Sequence, residues 1–226
     1  MIQNEKILLL GGTTEAIKIA KNLSMAGNEI ITSLVGKTRT PDPVSGSLRI
    51  GNFGGIEGMV TWLKNQKIDR VIDASHPFAQ KISKHAIEAA RQVNIPLQVH
   101  TRPPWKKVNG DNWIQVSSHI EAAIAIPLRA RVFLALGSQH LHSFIKRDDC
   151  YFIIRMIDNP IKSLPFSDYT LITGKPSNRI ESEEKLLIQN RVTYIVCRNS
   201  GGKKAYSKIK AARNLSLPVI IINYPL

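Results

Sequence analysis

The chain has 226 residues, 43% of them hydrophobic and 21% charged, an ordinary globular balance with material for a sizeable core. No apolar run approaches the roughly 20 residues needed to span a bilayer, no basic-then-apolar leader opens the chain, and Cys150 and Cys197 have neither disulfide-framework nor metal-ligand spacing. A cytoplasmic protein without a metal is therefore expected, and its formal net charge of +14 favours an anionic partner: nucleic acid, anionic lipid, or a small molecule rich in phosphates or carboxylates.

Short apolar runs alternate with amphipathic stretches, the pattern of a parallel α/β fold. A strand over residues 6–10 runs into Gly11 and Gly12, and a helix follows over 14–25. The glycines permit a tight turn and close approach, the helix start offers unpaired N–H groups to an anion, and Thr13 and Thr14 add hydroxyls. The turn is neither G-x-G-x-x-G nor a Walker P-loop, so a plain strand-to-helix connection fits it as well. The next strand, 29–35, ends in "SLVGKTRTP", with no acid for a ribose 2′-hydroxyl but with Lys37 and Arg39. That suits a 2′-phosphate, and so NADP rather than NAD.

The prolines and glycine of "RTPDPVSGS" mark a loop. "RIGNFGG" then places Gly51, Gly54 and Gly55 ahead of a helix over 55–66. A strand over 70–74 leads into "ASHPFA", which brings Ser75, His76 and Pro77 to the carboxyl edge of the sheet. His76 is the one candidate proton donor there, although a helix-capping histidine would occupy the same place. A helix over 78–93, a strand over 97–101 and a short helix capped by Ser118 follow. Further strands are read at 131–136, 151–155, 170–173, 193–198 and 218–222, with helices at 182–190 and 203–215. "RNSGGKK" makes residues 199–202 a polar anion-binding turn between Arg198 and Lys203.

Two long segments share one plan. "RVIDASHPFAQKISKHAIEAARQVNIPLQVHTRPP" and "YIVCRNSGGKKAYSKIKAARNLSLPVIIINYP" each run strand, polar turn, helix ending in Ala-Ala-Arg, proline linker, strand. "KILLLGG" and "RVFLALGS" match as their openings. The expectation is two related Rossmann-like lobes with mainly parallel sheets and a cleft between them, 1–128 and 129–226, joined near residues 127–130.

The motifs "LLLGGTTEA", "SLVGKT", "RIGNFGG", "DASHPFA", "RPPW" and "NSGG", in this order over residues 7–225, resemble the precorrin-6A reductases of cobalamin biosynthesis. The resemblance implies NADPH in the N-terminal lobe and a tetrapyrrole between the lobes, with hydride transfer to the oxidised macrocycle giving precorrin-6B. The alternative it carries is an NADH-dependent reductase of the cobalt-containing substrate. Cofactor residues would be Gly11, Gly12, Thr13, Thr14, Glu15, Lys37, Gly51, Phe53, Gly54, Gly55, Ser75, His76 and Pro77. Substrate residues would be Arg102, Trp105, Gly137, Ser138, Lys175, Arg198, Asn199, Ser200, Gly201, Gly202 and Lys203, the cations holding carboxylates. Partners would be the polycarboxylate tetrapyrrole and enzymes of neighbouring steps, with no nucleic acid and no membrane.

The chain departs from relatives in places. Leu136, Gly137 and Ser138 stand where Thr-Gly-Arg is common, so an arginine contact is missing or supplied from elsewhere. Arg198 stands for a lysine, and Lys37 for an arginine, which suits bidentate phosphate binding less well.

Other readings compete, among them a phosphate-dependent nucleotide-sugar or nucleotide transferase, which the glycine turns alone would also fit. Tyr206 and Lys210 have the Tyr-x-x-x-Lys spacing of short-chain dehydrogenases, though far from "GGTTEA". A nucleic-acid-binding α/β protein would use the positive charge but leave the glycine turns without a purpose. The "HLH" of His140–His142 has too few neighbours to argue for a metal.

Overall fold

The computed structural model describes residues 4–36, 41–137 and 140–224. The chain divides into two compact units, Met1–Arg102 and Pro103–Leu226.

The first unit contains β1 (Lys6–Leu10), α1 (Thr14–Met25), β2 (Glu29–Leu34), β3 (Ser47–Ile50), α2 (Gly55–Asn65), β4 (Arg70–Asp73), α3 (Gln80–Val93) and β5 (Leu97–Val99). Every strand pair is parallel, in the order β3-β2-β1-β4-β5. β1 is central and covered on both faces, which is why "KILLL" is continuously apolar. Ile7 and Leu9 pack with Ala16 and Ala20 of α1. Leu8 and Leu10 pack on the other side with Met59 and Leu63 of α2 and with Ala86 and Ala90 of α3.

The second unit contains β6 (Trp113–Val116), α4 (His119–Ile124), β7 (Arg131–Ala135), β8 (Tyr151–Met156), β9 (Tyr169–Thr173), α5 (Ile180–Gln189), β10 (Tyr194–Arg198), α6 (Ser207–Asn214) and β11 (Val219–Ile222). Its six-stranded sheet is also wholly parallel, in the order β6-β11-β10-β7-β8-β9. Taken from the other end, β9-β8-β7-β10-β11 repeats β3-β2-β1-β4-β5 strand for strand. The internal repeat is therefore real, and it begins at β7. The core beneath it gathers Phe133, Ile153, Leu187, Ile195, Cys197 and Ile209.

The boundary, however, lies at Arg102/Pro103 and not between 128 and 129. The reason is β6, which pairs in parallel with β11 (Trp113↔Val219 through Val116↔Ile222) and adds a sixth strand beyond the repeat. β3 and β6 are strands that the sequence reading lacks. α3 starts at Gln80 rather than 78, because a turn closed by Ala79 N–H on His76 O (2.7 Å) precedes it.

Five helices hand over to the following strand by one device. A left-handed residue follows the helix: Gly27 (φ 91°), Lys67 (52°), Asn94 (59°), Arg191 (52°) and Ser216 (53°). The next N–H then bonds five residues back: Asn28 to Leu23 O (3.1 Å), Ile68 to Leu63 O (3.1 Å), Ile95 to Ala90 O (3.1 Å), Val192 to Leu187 O (3.0 Å) and Leu217 to Ala212 O (2.8 Å). This is the Schellman closure, which satisfies carbonyls that the helix end leaves open. No helix among the described residues is long and apolar enough to cross a membrane.

Candidate active site

In the first unit the chain reverses its direction across the sheet between β1 and β4, and open α/β sheets bind ligands at the carboxyl ends flanking such a point. Thr13 ties the two ends together. It is the extended N-cap of α1, its Oγ1 accepts from Ala16 N–H (3.1 Å), and its hydroxyl donates to Ala74 O beyond β4 (2.8 Å). Gly11 is held by its own N–H to Ser33 O (3.0 Å), and a Cβ there would sit 2.8 Å from Thr32 Cγ2, so only glycine fits. Thr14 opens the helix, and the free N–H groups of its first turn lie at this edge. A small pocket beside it is lined by Thr13, Glu15, Ile19, Ala74, Ser75 and Arg102, among others.

Charged groups close this edge. Asp73 is buried at 3% exposure and accepts from Ser75 N–H (3.0 Å), shaping the turn after β4. His76 Nδ1 accepts from Phe78 N–H (3.2 Å), so a proton that the ring carries for transfer sits at Nε2. Pro77 continues the same turn. Glu15 and Arg102, expected to serve cofactor and substrate respectively, are ion-paired with each other at 3.0 Å. Arg102 thus belongs to the first unit's edge.

The second glycine turn is built around Arg49 of β3, a residue the sequence reading passed over. Its Nη1 donates to Ser33 Oγ (3.2 Å) and Gly51 O (2.7 Å), and its Nη2 to Asn52 O (2.8 Å). The guanidinium lies 3.7 Å over the Phe53 ring, and burial draws its pKa down. With the carbonyls turned onto Arg49, Gly51, Gly54 and Gly55 hold left-handed conformations, and nothing lies within 4 Å of where their Cβ atoms would stand. Bare backbone facing open space fits a dinucleotide. Lys37 and Arg39 lie outside the described residues.

In the second unit the corresponding reversal falls between β7 and β10. Asn199, 5% exposed, grips Trp105 through both backbone groups: Trp105 N–H donates to Asn199 Oδ1 (2.7 Å) and Asn199 Nδ2 donates to Trp105 O (3.0 Å). Trp105 Nε1 donates to Gly202 O (3.0 Å), so the tryptophan is bolted to the 199–202 turn. Ser200 and Gly201 are buried within that turn, and Lys203 is exposed at its end. Gly137 holds φ 78° at the end of β7, and Ser138 lies outside the described residues. Lys175 follows β9, the edge strand, two strands away from β7, so it is not gathered with the others.

Beneath the turn sits a cluster of cations. Lys208 of α6 is 5% exposed, donates to Ala205 O (2.7 Å) and lies 5.1 Å from the Trp105 ring centre; burial lowers its pKa. Arg155 of β8 pairs at 3.0 Å with Glu183 of α5, which is 1% exposed, and Glu183 also accepts from Ser177 N–H (2.9 Å). Burial brings Arg198 down to about 10, so it stays charged near neutrality. Its Nη1 lies 3.2 Å from His140 Nε2, and His140 stacks on His119 with ring centres 4.4 Å apart and planes at 6°. Lys208 and the stacking of His140 on His119 are absent from the sequence reading, where a helical lysine and a histidine 21 residues away carry no signal. Tyr206 does not form a dehydrogenase pair: its hydroxyl accepts from Arg213 Nη2 (2.9 Å), while Lys210 is exposed.

A family model described as precorrin-6x reductase CbiJ/CobK matches residues 6–225. The chain is 38% identical to the precorrin-6A reductase of Rhodobacter capsulatus, over 97% of this chain and 88% of that protein. It is 37% identical to the precorrin-6A reductase of Mycobacterium tuberculosis, over 98% and 89%. To the cobalt-precorrin-6A reductase of Priestia megaterium it is 30% identical, over 97% and 90%. A solved structure of CobK precorrin-6A reductase matches with a TM-score of 0.94 at 38% identity, covering 98% of this chain and 89% of that one. With its two parallel sheets, ordered motifs and these likenesses, the chain belongs to the precorrin-6x reductase family of oxidoreductases.

Proposed function

We propose that the protein reduces precorrin-6A to precorrin-6B in cobalamin biosynthesis, with NADPH as reductant. The observation that carries this reading is the contrast between the two carboxyl edges. One is bare glycine backbone at a helix start, suited to a phosphate-bearing nucleotide. The other is a polar turn over the half-buried Arg198 and the buried Lys208, suited to a substrate rich in carboxylates. Identity favours the cobalt-free substrate: 38% and 37% to two precorrin-6A reductases, against 30% and 26% to two cobalt-precorrin-6A reductases.

When bound, NADPH supplies the hydride. The chain's own residues then position and charge-match. The first turn of α1, with Gly11, Gly12, Thr13 and Thr14, receives the pyrophosphate, and Lys37 takes the 2′-phosphate. Phe53, with Gly51, Gly54 and Gly55, would hold the nucleotide against bare backbone. Ser75, His76 and Pro77 border the reacting end, and His76 Nε2 is the candidate proton source. Arg198, Lys203 and Arg102 hold carboxylates, and the 199–202 turn with Trp105 and Gly137 seats the macrocycle. Glu15 acts through Arg102 by setting its guanidinium.

Nucleotide fluorescence titrations test the cofactor half. NADPH binding that weakens at least about tenfold in Lys37→Glu is expected from losing a charge-assisted phosphate contact, followed by NADPH-dependent consumption of precorrin-6A. Binding of NADH alone would move the reading to the cobalt-containing substrate, and binding of neither nucleotide would overturn it.

A further inference from the structure

The "HLH" histidines find their place beside Arg198. The guanidinium of Arg198 only donates hydrogen bonds, so at 3.2 Å from His140 Nε2 it requires that nitrogen to be the acceptor. The His140 ring is then neutral, with its proton on Nδ1. Among the described residues, His119 of α4 stacks on the ring at 4.4 Å, His142 of the short 3-10 helix His142–Phe144 acts on His119, Lys208 of α6 feels the Arg198 charge, and the buried Cys197 thiol precedes Arg198 on β10. His119, His142 and Lys208 are cations or become so, which disfavours a charged imidazole at His140. His119 responds accordingly: burial, Arg198 and His142 all hold it below the usual histidine range.

The geometry points to His140, backed by His119, as a positioning residue that orients Arg198 toward a substrate carboxylate while neutral and releases it on protonation. This rests on the reading of the second unit's edge as the tetrapyrrole seat. Protonation places a hydrogen on Nε2, abolishes the acceptor and sets an imidazolium against a guanidinium. Arg198 itself does not titrate between pH 5 and 8, whereas an imidazole does, near 6.5 in the absence of perturbation. Substrate carboxylates, with ordinary values near 4, are ionised throughout that window.

The expected kinetic signature is a tetrapyrrole KM that rises at least about twofold from pH 7.5 to 5.5, with the NADPH dissociation constant changed less than twofold. His140→Gln keeps an acceptor oxygen that cannot be protonated there, so it should restore the pH 7.5 value and flatten the profile. His140→Leu, with no acceptor, should raise KM at every pH. Long-range nitrogen correlation spectra of the full-length labelled protein read the tautomer directly, and an Nδ1–H ring at His140 is expected at pH 7.5. An Nε2–H tautomer, or a KM profile that His140→Gln leaves unchanged, overturns the proposal. If neither protein consumes precorrin-6A at any pH, the reductase reading falls. In that event the pH control of substrate binding falls with it, and the tautomer still decides the His140–Arg198 bond.

Discussion

Glu183 shows how much one buried side chain organises in this protein. Its carboxylate answers the Arg155 guanidinium on β8 and the Ser177 N–H ahead of α5, from a position 1% exposed. Replacing it by glutamine leaves a buried guanidinium without its counter-charge, a change that costs about 3–5 kcal/mol. Urea titration of Glu183→Gln should show that loss, and a double change to Arg155→Met with Glu183→Leu should recover much of it, because no charge is then stranded. At this scale the sequence was informative where a residue acts on its own neighbours. Ser118 before a helix reads as a cap, and it is one, its side chain accepting from Glu121 N–H. It was silent where partners are far apart in the chain. Glu183 looks like any acid in "ESEEK", and Lys208 like any solvated lysine in "SKIKAA"; only the fold removes both from water. Trp105 and Asn199 were each singled out, but their mutual bonds, 94 residues apart, follow no local rule.

Among the elements, the repeated Schellman closures carry a cost at non-glycine positions. A residue with a Cβ in the left-handed region is disfavoured by roughly 1 kcal/mol, least for asparagine. Lys67→Gly and Arg191→Gly, at equivalent junctions after α2 and α5, should each raise stability by up to about 0.5 kcal/mol once glycine's greater unfolded-state freedom is set against the relief. Asn94→Gly should gain less. Thermal melts of the single variants and of the pair would check this, and the pair should be additive because the sites lie in different units and share no partner. The central strands were legible because two covered faces demand an unbroken apolar run, as in β1 and β10. β3 and β6 were not, for the converse reason. Each is a four-residue outer strand with half or more of its residues exposed, so neither alternation nor continuity marks it.

On the scale of the whole chain, the repeat was visible in the sequence but the unit boundary was not, since β6 lies upstream of the repeat whose sheet it completes. A fragment starting at Pro103 should therefore fold cooperatively, whereas one starting at 129 loses β6 and α4, bares the outer edge of β11, and should aggregate or melt at lower temperature; light scattering and denaturant titration of the two distinguish these outcomes. The same strand constrains the order of events at the ribosome. Trp113 meets Val219, and Val116 meets Ile222, so β6 emerges roughly a hundred residues before its partner exists. At about 5–20 residues per second that is a wait of roughly 5–20 s. The first unit, whose ladders all close within its own segment, has time to form during that interval. The second sheet acquires its outermost strand only when β11 arrives to lie between β10 and a segment made long before it.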